Sequence, residues 1–144
     1  MKISFDLARK TGKNVTLRRG NMMISANDRM HYQVKGKITQ FLRELACYEC
    51  KRTGLVPKMP YSPSRPCTVA VTVRPPTARR NDAPNWYPTV KALIDGMTDA
   101  GVWTDDNNSV IKAMTFIAGE KSGSDRYRFE LEVRDVVRSD SDLS

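Results

Sequence analysis

Residues 67–108 read CTVAVTVRPPTARRNDAPNWYPTVKALIDGMTDAGVWTDDNN, and the changes of pattern within them set the fold. Cys67 to Arg74 alternates, with Val69, Val71 and Val73 on one face, which is the period of a half-buried strand. Pro75-Pro76 withholds two backbone donors and ends it. Pro84 and Pro88 each disfavour helix at the residue before them, so a looser turn runs from Asp82 and regular helix begins near Pro88. Val90, Leu93, Ile94 and Met97 then recur at helical spacing up to Gly101. A strand feeding a helix through a polar loop describes a sheet with a helix laid on it. The loop falls at the strand's C-terminal edge, a usual place for chemistry in such sheets.

Working outward, Ile3, Phe5 and Leu7 alternate with Lys2, Ser4 and Asp6 and predict a strand. Val15–Arg19 and Met22–Ser25 flank Gly20-Asn21, a pair able to take positive φ, and predict a hairpin with Arg18 and Arg19 at its tip. Residues 25–37 have no clean period and read as a polar loop. Ile38, Phe41, Leu42, Leu45 and Ala46 predict a helix from about Lys37 to Thr53, stopped by Gly54. Leu55 to Pro66, with four prolines, reads as an extended surface link. Downstream, Val110–Ile117 and Tyr127–Val137 alternate around the turn GEKSGSD, and residues 138–144 read as a frayed tail. No internal repeat appears. The expectation is an α+β fold in a single domain over residues 1–137, with one mixed β-sheet and two main α-helices packed on it.

A chain of 144 residues suits one compact domain. No apolar run approaches the length of a membrane span, and the N-terminus carries no apolar leader, so a soluble, cytoplasmic protein is expected. The net charge of +8 favours polyanionic partners, DNA above all. Cys47 and Cys50 form a C-x-x-C, but no second pair and no H-x-x-H accompanies it, and His31 is the only histidine. At helical spacing the two thiols simply share a face. Zinc and redox readings are therefore set behind three free thiols.

Seven of the charged groups in residues 79–106 form a candidate kit: Arg79, Arg80, Asp82, Lys91, Asp95, Asp105 and Asp106. Carboxylates can hold Mg²⁺ with water retained as a nucleophile, a lysine can stabilise developing charge, and paired arginines can clamp phosphates. Asn27, Arg29, His31, Lys35 and Lys37 offer further phosphate donors. Each residue also has a plain alternative. Asp82 suits a helix cap, Lys91–Asp95 an i,i+4 ion pair, and Asp105-Asp106-Asn107 a turn.

The string Arg79-Arg80, Asp82, Asn85, Lys91, Asp95 and Gly101-Val-Trp-Thr-Asp105-Asp106 resembles the RusA family of Holliday-junction resolvases. The stretch Ser25-Ala-Asn27-Asp-Arg29-Met-His31 is similar to that family's N-terminal Asn-containing motif. The resemblance implies a homodimeric endonuclease of a phage or bacterial cell, dependent on Mg²⁺ with Mn²⁺ as a substitute and needing no organic cofactor. It would nick branched DNA, at Holliday junctions and by extension at forks or flaps. Asp82, Lys91 and Asp106 would be catalytic, with Asp82, Asp95, Asp105 and Asp106 as metal ligands. Asn27, Arg29, His31, Lys35, Lys37, Arg79, Arg80 and Asn85 would contact DNA. Two departures stand out: Pro84 occupies the place of the family's second acid, and Trp86-Tyr87-Pro88-Thr89 lengthens the spacing from Asn85 to Lys91. A non-catalytic branched-DNA-binding protein is the main rival, ahead of a phosphoesterase acting on RNA or small nucleotides.

Overall fold

The computed structural model describes residues 1–12, 15–78 and 80–136; Arg79, expected to contact phosphate, and the 138–144 tail lie outside them. In chain order the elements are β1 (Lys2–Leu7), α1 (Tyr32–Arg52), β2 (Cys67–Arg74), a 3₁₀ turn (Ala83–Trp86), α2 (Tyr87–Ala100), β3 (Ile111–Ala118) and β4 (Tyr127–Asp135). They form one four-stranded sheet in the order β1-β4-β2-β3. β4 runs antiparallel to both β1 and β2, while β3 lies parallel to β2, connected to it through α2. The mixed α+β architecture expected from the sequence is the one observed.

Period-2 burial builds the sheet. Ile3, Phe5 and Leu7 of β1, Val69, Val71 and Val73 of β2, and Phe129, Leu131 and Val133 of β4 are all buried, and their neighbours along each strand are not. Ile38, Leu42, Ala46 and Cys50 of α1 join Val90, Leu93, Ile94 and Met97 of α2 in the same core. α2 stops at Gly101, whose φ of 91° lets its N–H bond back to Met97 and Thr98.

Three local expectations are corrected. No hairpin forms at Gly20-Asn21. The N–H groups of Arg19 and Asn21 both bond to the Thr16 carbonyl, and the Asn21 side chain is fully buried. Its amide accepts from Lys10 N and donates to the Met23 carbonyl, replacing the strand pairing a hairpin would supply. Met23 and Ile24 consequently enter the core as loop residues, and Thr89 Oγ1 of α2 exchanges two 2.8 Å hydrogen bonds with the Ile24 backbone. Next, α1 begins at Tyr32 rather than near Lys37, so Lys35 and Lys37 are helical. His31 caps it, its Nδ1 accepting from Gln33 N at 3.2 Å. Finally, the proline-rich link is not all surface: Tyr61 is buried and bridges Trp103, with its N–H on the Val102 carbonyl.

The cysteines are free, as expected. Burial pushes the Cys50 and Cys67 thiols up to about 11, so both are protonated at neutral pH. No helix among the described residues is long and apolar enough to cross a membrane.

Candidate functional site

The strand register decides what meets at each end of the sheet. Leu7 pairs with Tyr127, and Val73 lies between Phe129 and Ala118. The ends of β1, β2 and β3 and the start of β4 therefore share one edge, and the loop carrying Arg80 and Asp82 leaves from it. A cleft of about 420 Å³ opens there between that loop, Arg9 beyond β1, Ser25, the 3₁₀ turn and Asp125 ahead of β4.

Asp82 occupies the cap position of the 3₁₀ turn, but its carboxylate caps nothing. It accepts instead from Arg80 Nε at 3.1 Å and stays half exposed, facing the cleft. The helix-cap alternative for Asp82 is thus set aside on geometry. The Asn85 backbone carbonyl accepts from Ala26 N at 2.7 Å, which pins the Asn27 loop to the turn.

Arg9, unremarked in the sequence, holds this wall together. Its guanidinium meets Asp28 through two hydrogen bonds of 2.8 and 2.6 Å, donates to the Met23 carbonyl, and lies 5.3 Å above the Trp86 ring. Burial pulls the Asp28 carboxyl upward, yet Arg9 and the Ser25 N–H outweigh it and leave it below its ordinary 3.8. A folded-state value below the unfolded one stabilises the fold above the unfolded pKa and loses that contribution as pH falls through the folded one. Asp28→Asn is therefore expected to flatten the acid limb of stability below about pH 4 in urea melts taken from pH 2 to 6. An unchanged limb would remove Asp28 from this role.

The second cluster lies on α2 and the loop entering β3. Lys91 Nζ donates to Asp95 at 2.9 Å and also to Asp106. Burial lowers the Lys91 pKa, but these two carboxylates more than offset it and hold it above the usual lysine range. Lys91 is a fixed cation here, not a proton acceptor. Burial likewise raises Asp106, and Lys91 outweighs that and depresses it. The adjacent acids divide the work. Asp105 makes the turn, accepting from Asp106 N at 2.7 Å and from Asn107 Nδ2 at 3.1 Å, while Asp106 turns to Lys91. One turn along α2, Asp99 pairs with Arg43 of α1 at 2.5 and 2.8 Å. Asp95, Asp99, Asp105 and Asp106 stand against Lys91, Arg43 and Lys51, which also acts on Asp99, so acids outnumber bases locally on a chain of net +8 and form an acidic island.

Asp82 and this island stand at different places. Asp82 precedes α2, and helical rise alone puts Tyr87 and Asp95 about 12 Å apart along its axis. Among the described residues no three acidic, cysteine or histidine side chains gather into a group able to hold a metal ion. Asp95, Lys91 and Asp106 are brought together; Asp82 is brought to Arg80 and the cleft instead. Asn27, Arg29, His31, Lys35 and Lys37 are all exposed on the loop and first turns of α1. The His31 ring lies 4.5 Å from that of Tyr32, which is 75% exposed. No protein-family model matches the chain, and no curated protein matches it.

Proposed function

We propose that this chain is a Mg²⁺-dependent, structure-specific endodeoxyribonuclease of the RusA type, nicking branched DNA in the cytoplasm during recombination, repair or replication. The observation that carries the reading is Asp82, a half-exposed carboxylate with no capping duty, facing an open cleft between Arg80 and the Arg9 wall. Mg²⁺ keeps most of its waters and takes one or two carboxylates plus substrate phosphate, so a three-acid cage is not required. Asp82 fits that demand at the cleft, as does the exposed Asp105 beside Asp106 on the acidic island. Bound there, the metal would supply an activated water and neutralise charge on the phosphate. The chain's own part is positional. Arg80 and the exposed cations Arg29, Lys35 and Lys37 take phosphates, and Lys91 keeps a positive charge fixed between Asp95 and Asp106.

The homodimer has its support in β3. It is an edge strand on which Lys112 is the sole charge, with Ile117 43% exposed and Tyr87 of α2 against Phe116. The other edge, β1, points Lys2, Ser4 and Asp6 outward and is guarded. Two copies joined antiparallel along β3 would form an isologous interface and a pair of basic faces for diverging arms. Ile117→Lys is expected to halve the mass seen by light scattering without changing the circular dichroism. A wild-type monomer at the same concentration would dispose of the dimer.

A second reading has its own observation. Lys91's ammonium fills the position between Asp95 and Asp106 that a cation would take. A protein that binds junctions without cutting them fits that arrangement. Nicking of a labelled four-way junction, a fork and a linear duplex, with Mg²⁺ or EDTA, separates the two. Mg²⁺-dependent cuts on the branched substrates support the nuclease; tight binding with no cleavage under any divalent metal leaves the binding protein.

A further inference from the structure

The cleft beside Asp82 has a composition that phosphate binding does not explain. Its inner wall is aromatic, with the Trp86 and Tyr127 rings 5.2 Å apart and tilted by 59°. Trp86 is fixed on one side by the Arg9 guanidinium, itself anchored by Asp28, and on another by the edge of Phe129. Asn85 and Asp125 line the same cleft, and neither side chain makes a hydrogen bond among the described residues. Arg80 stands at the rim, 88% exposed. Volume matters too: about 420 Å³ is in the range that takes one small ligand, roughly 300–1,000 Å³, and is far too small for a duplex.

Asp82 has Arg80 beside it, whereas Asp125 has no cation paired with it among the described residues and would repel a phosphate, so Asp125 argues for a different group on its side. Unpaired bases stack on aromatic and guanidinium planes and are read on their edges by amides and carboxylates. A carboxylate accepts from the exocyclic amino groups of cytosine, adenine or guanine. Thymine has no amino group, and its N3–H is flanked by two carbonyl oxygens that repel a carboxylate. We propose that the cleft receives one unpaired base at the branch, stacked against Trp86 and Tyr127 with its amino group on Asp125 and its phosphate toward Arg80. Extrusion is least costly where pairing is already broken, which ties the pocket to a branched substrate. This inference rests on the branched-DNA reading and adds a base preference to it.

Intrinsic fluorescence tests it without cleavage. The chain has two tryptophans, and Trp103 is buried at 1% exposure, so a ligand in the cleft reports through Trp86. With EDTA present, the single-stranded tetranucleotides dC4 and dA4 are expected to quench the wild type and bind about 10-fold tighter than dT4, the scale of one hydrogen bond to a charged group. Asp125→Ala, in an exposed turn, should erase that preference while dT4 binds at least as well, and Trp86→Phe should abolish the quench. Equal affinity for dC4 and dT4, or a preference that survives Asp125→Ala, overturns the proposal. Quenching with the expected preference in a protein that never nicks would sink the nuclease reading and keep the pocket; nicking without quenching would do the reverse.

Discussion

If the proposed nuclease reading holds, Asp82→Asn is expected to abolish Mg²⁺-dependent nicking of a four-way junction while junction binding holds or tightens. The expectation follows from what Asp82 does and does not touch. Its carboxylate caps no helix and contacts only Arg80 among the described residues, so amide replacement removes a charge without removing a structural bond. Loss of an outer partner of a metal ligand typically costs roughly 10–100-fold, and loss of a direct ligand should exceed that. Binding moves the other way, because one negative charge leaves a surface that meets a polyanion and Arg80 is released to it. Lys91→Ala makes the informative contrast. It leaves Asp95 and Asp106 facing one another without their shared cation, so nicking should slow while binding stays near wild type. A variant that fails to fold instead would mark Lys91 as structural, and an Asp82→Asn protein cutting at the wild-type rate would move the active site elsewhere.

How much of this was readable beforehand depended on whether burial imposed a period. β2 and β4 were legible because one face is wholly buried, so Val69, Val71 and Val73, or Phe129, Leu131 and Val133, must alternate. The stripe of α2 was legible for the same reason at 3.6 residues per turn. β3 was weaker: as an edge it buries little beyond Ile111, and its register with β2 slips at Cys67–Thr68. The hairpin failed because Gly20-Asn21 satisfies turn chemistry equally well when Asn21 folds inward to serve the backbone itself. The start of α1 was hidden by a histidine cap and by Gly36 inside the first turns, both of which argue locally against helix.

The site divides along the same line. Lys91–Asp95 is a spacing, and spacing is visible in a sequence. That Asp106 rather than Asp105 meets Lys91 is a matter of loop geometry, which two adjacent identical residues cannot signal. Arg9 and Asp125 were invisible because they are far apart in the chain and come to line one cleft only through the Leu7–Tyr127 register. The cleft is a product of topology: the segments after β1 and β2, the Ser25 loop, the 3₁₀ turn and the start of β4 deliver its walls, and each wall looks like an ordinary polar loop when read alone.

Gly96→Ala is expected to destabilise the protein by about 2 kcal/mol or more, and Gly36→Ala to stabilise it. Both glycines sit inside helices, where alanine is ordinarily better by about 1 kcal/mol. Propensity alone therefore predicts a gain at both. At Gly36 nothing lies within 4 Å of the added Cβ, and the gain should be realised. At Gly96 that Cβ would stand 2.1 Å from the Arg43 carbonyl oxygen, 2.9 Å from its carbon and 2.8 Å from Ala46 Cβ. Two of those atoms are backbone of α1, so no rotamer relieves the clash and the helices must part. Overpacking costs typically about 1–3 kcal/mol, and a backbone collision belongs at the top of that range or beyond, which outweighs the propensity gain. For a chain of this size the net loss corresponds to roughly 5–10 °C in melting temperature. Thermal melts followed by circular dichroism read both variants at once. A Gly96→Ala protein melting at or above the wild type would show that α1 and α2 do not approach as closely as the Arg43–Gly96 contact requires. The Asp99–Arg43 pair, which spans the same helix interface, would then lose its reason for being short.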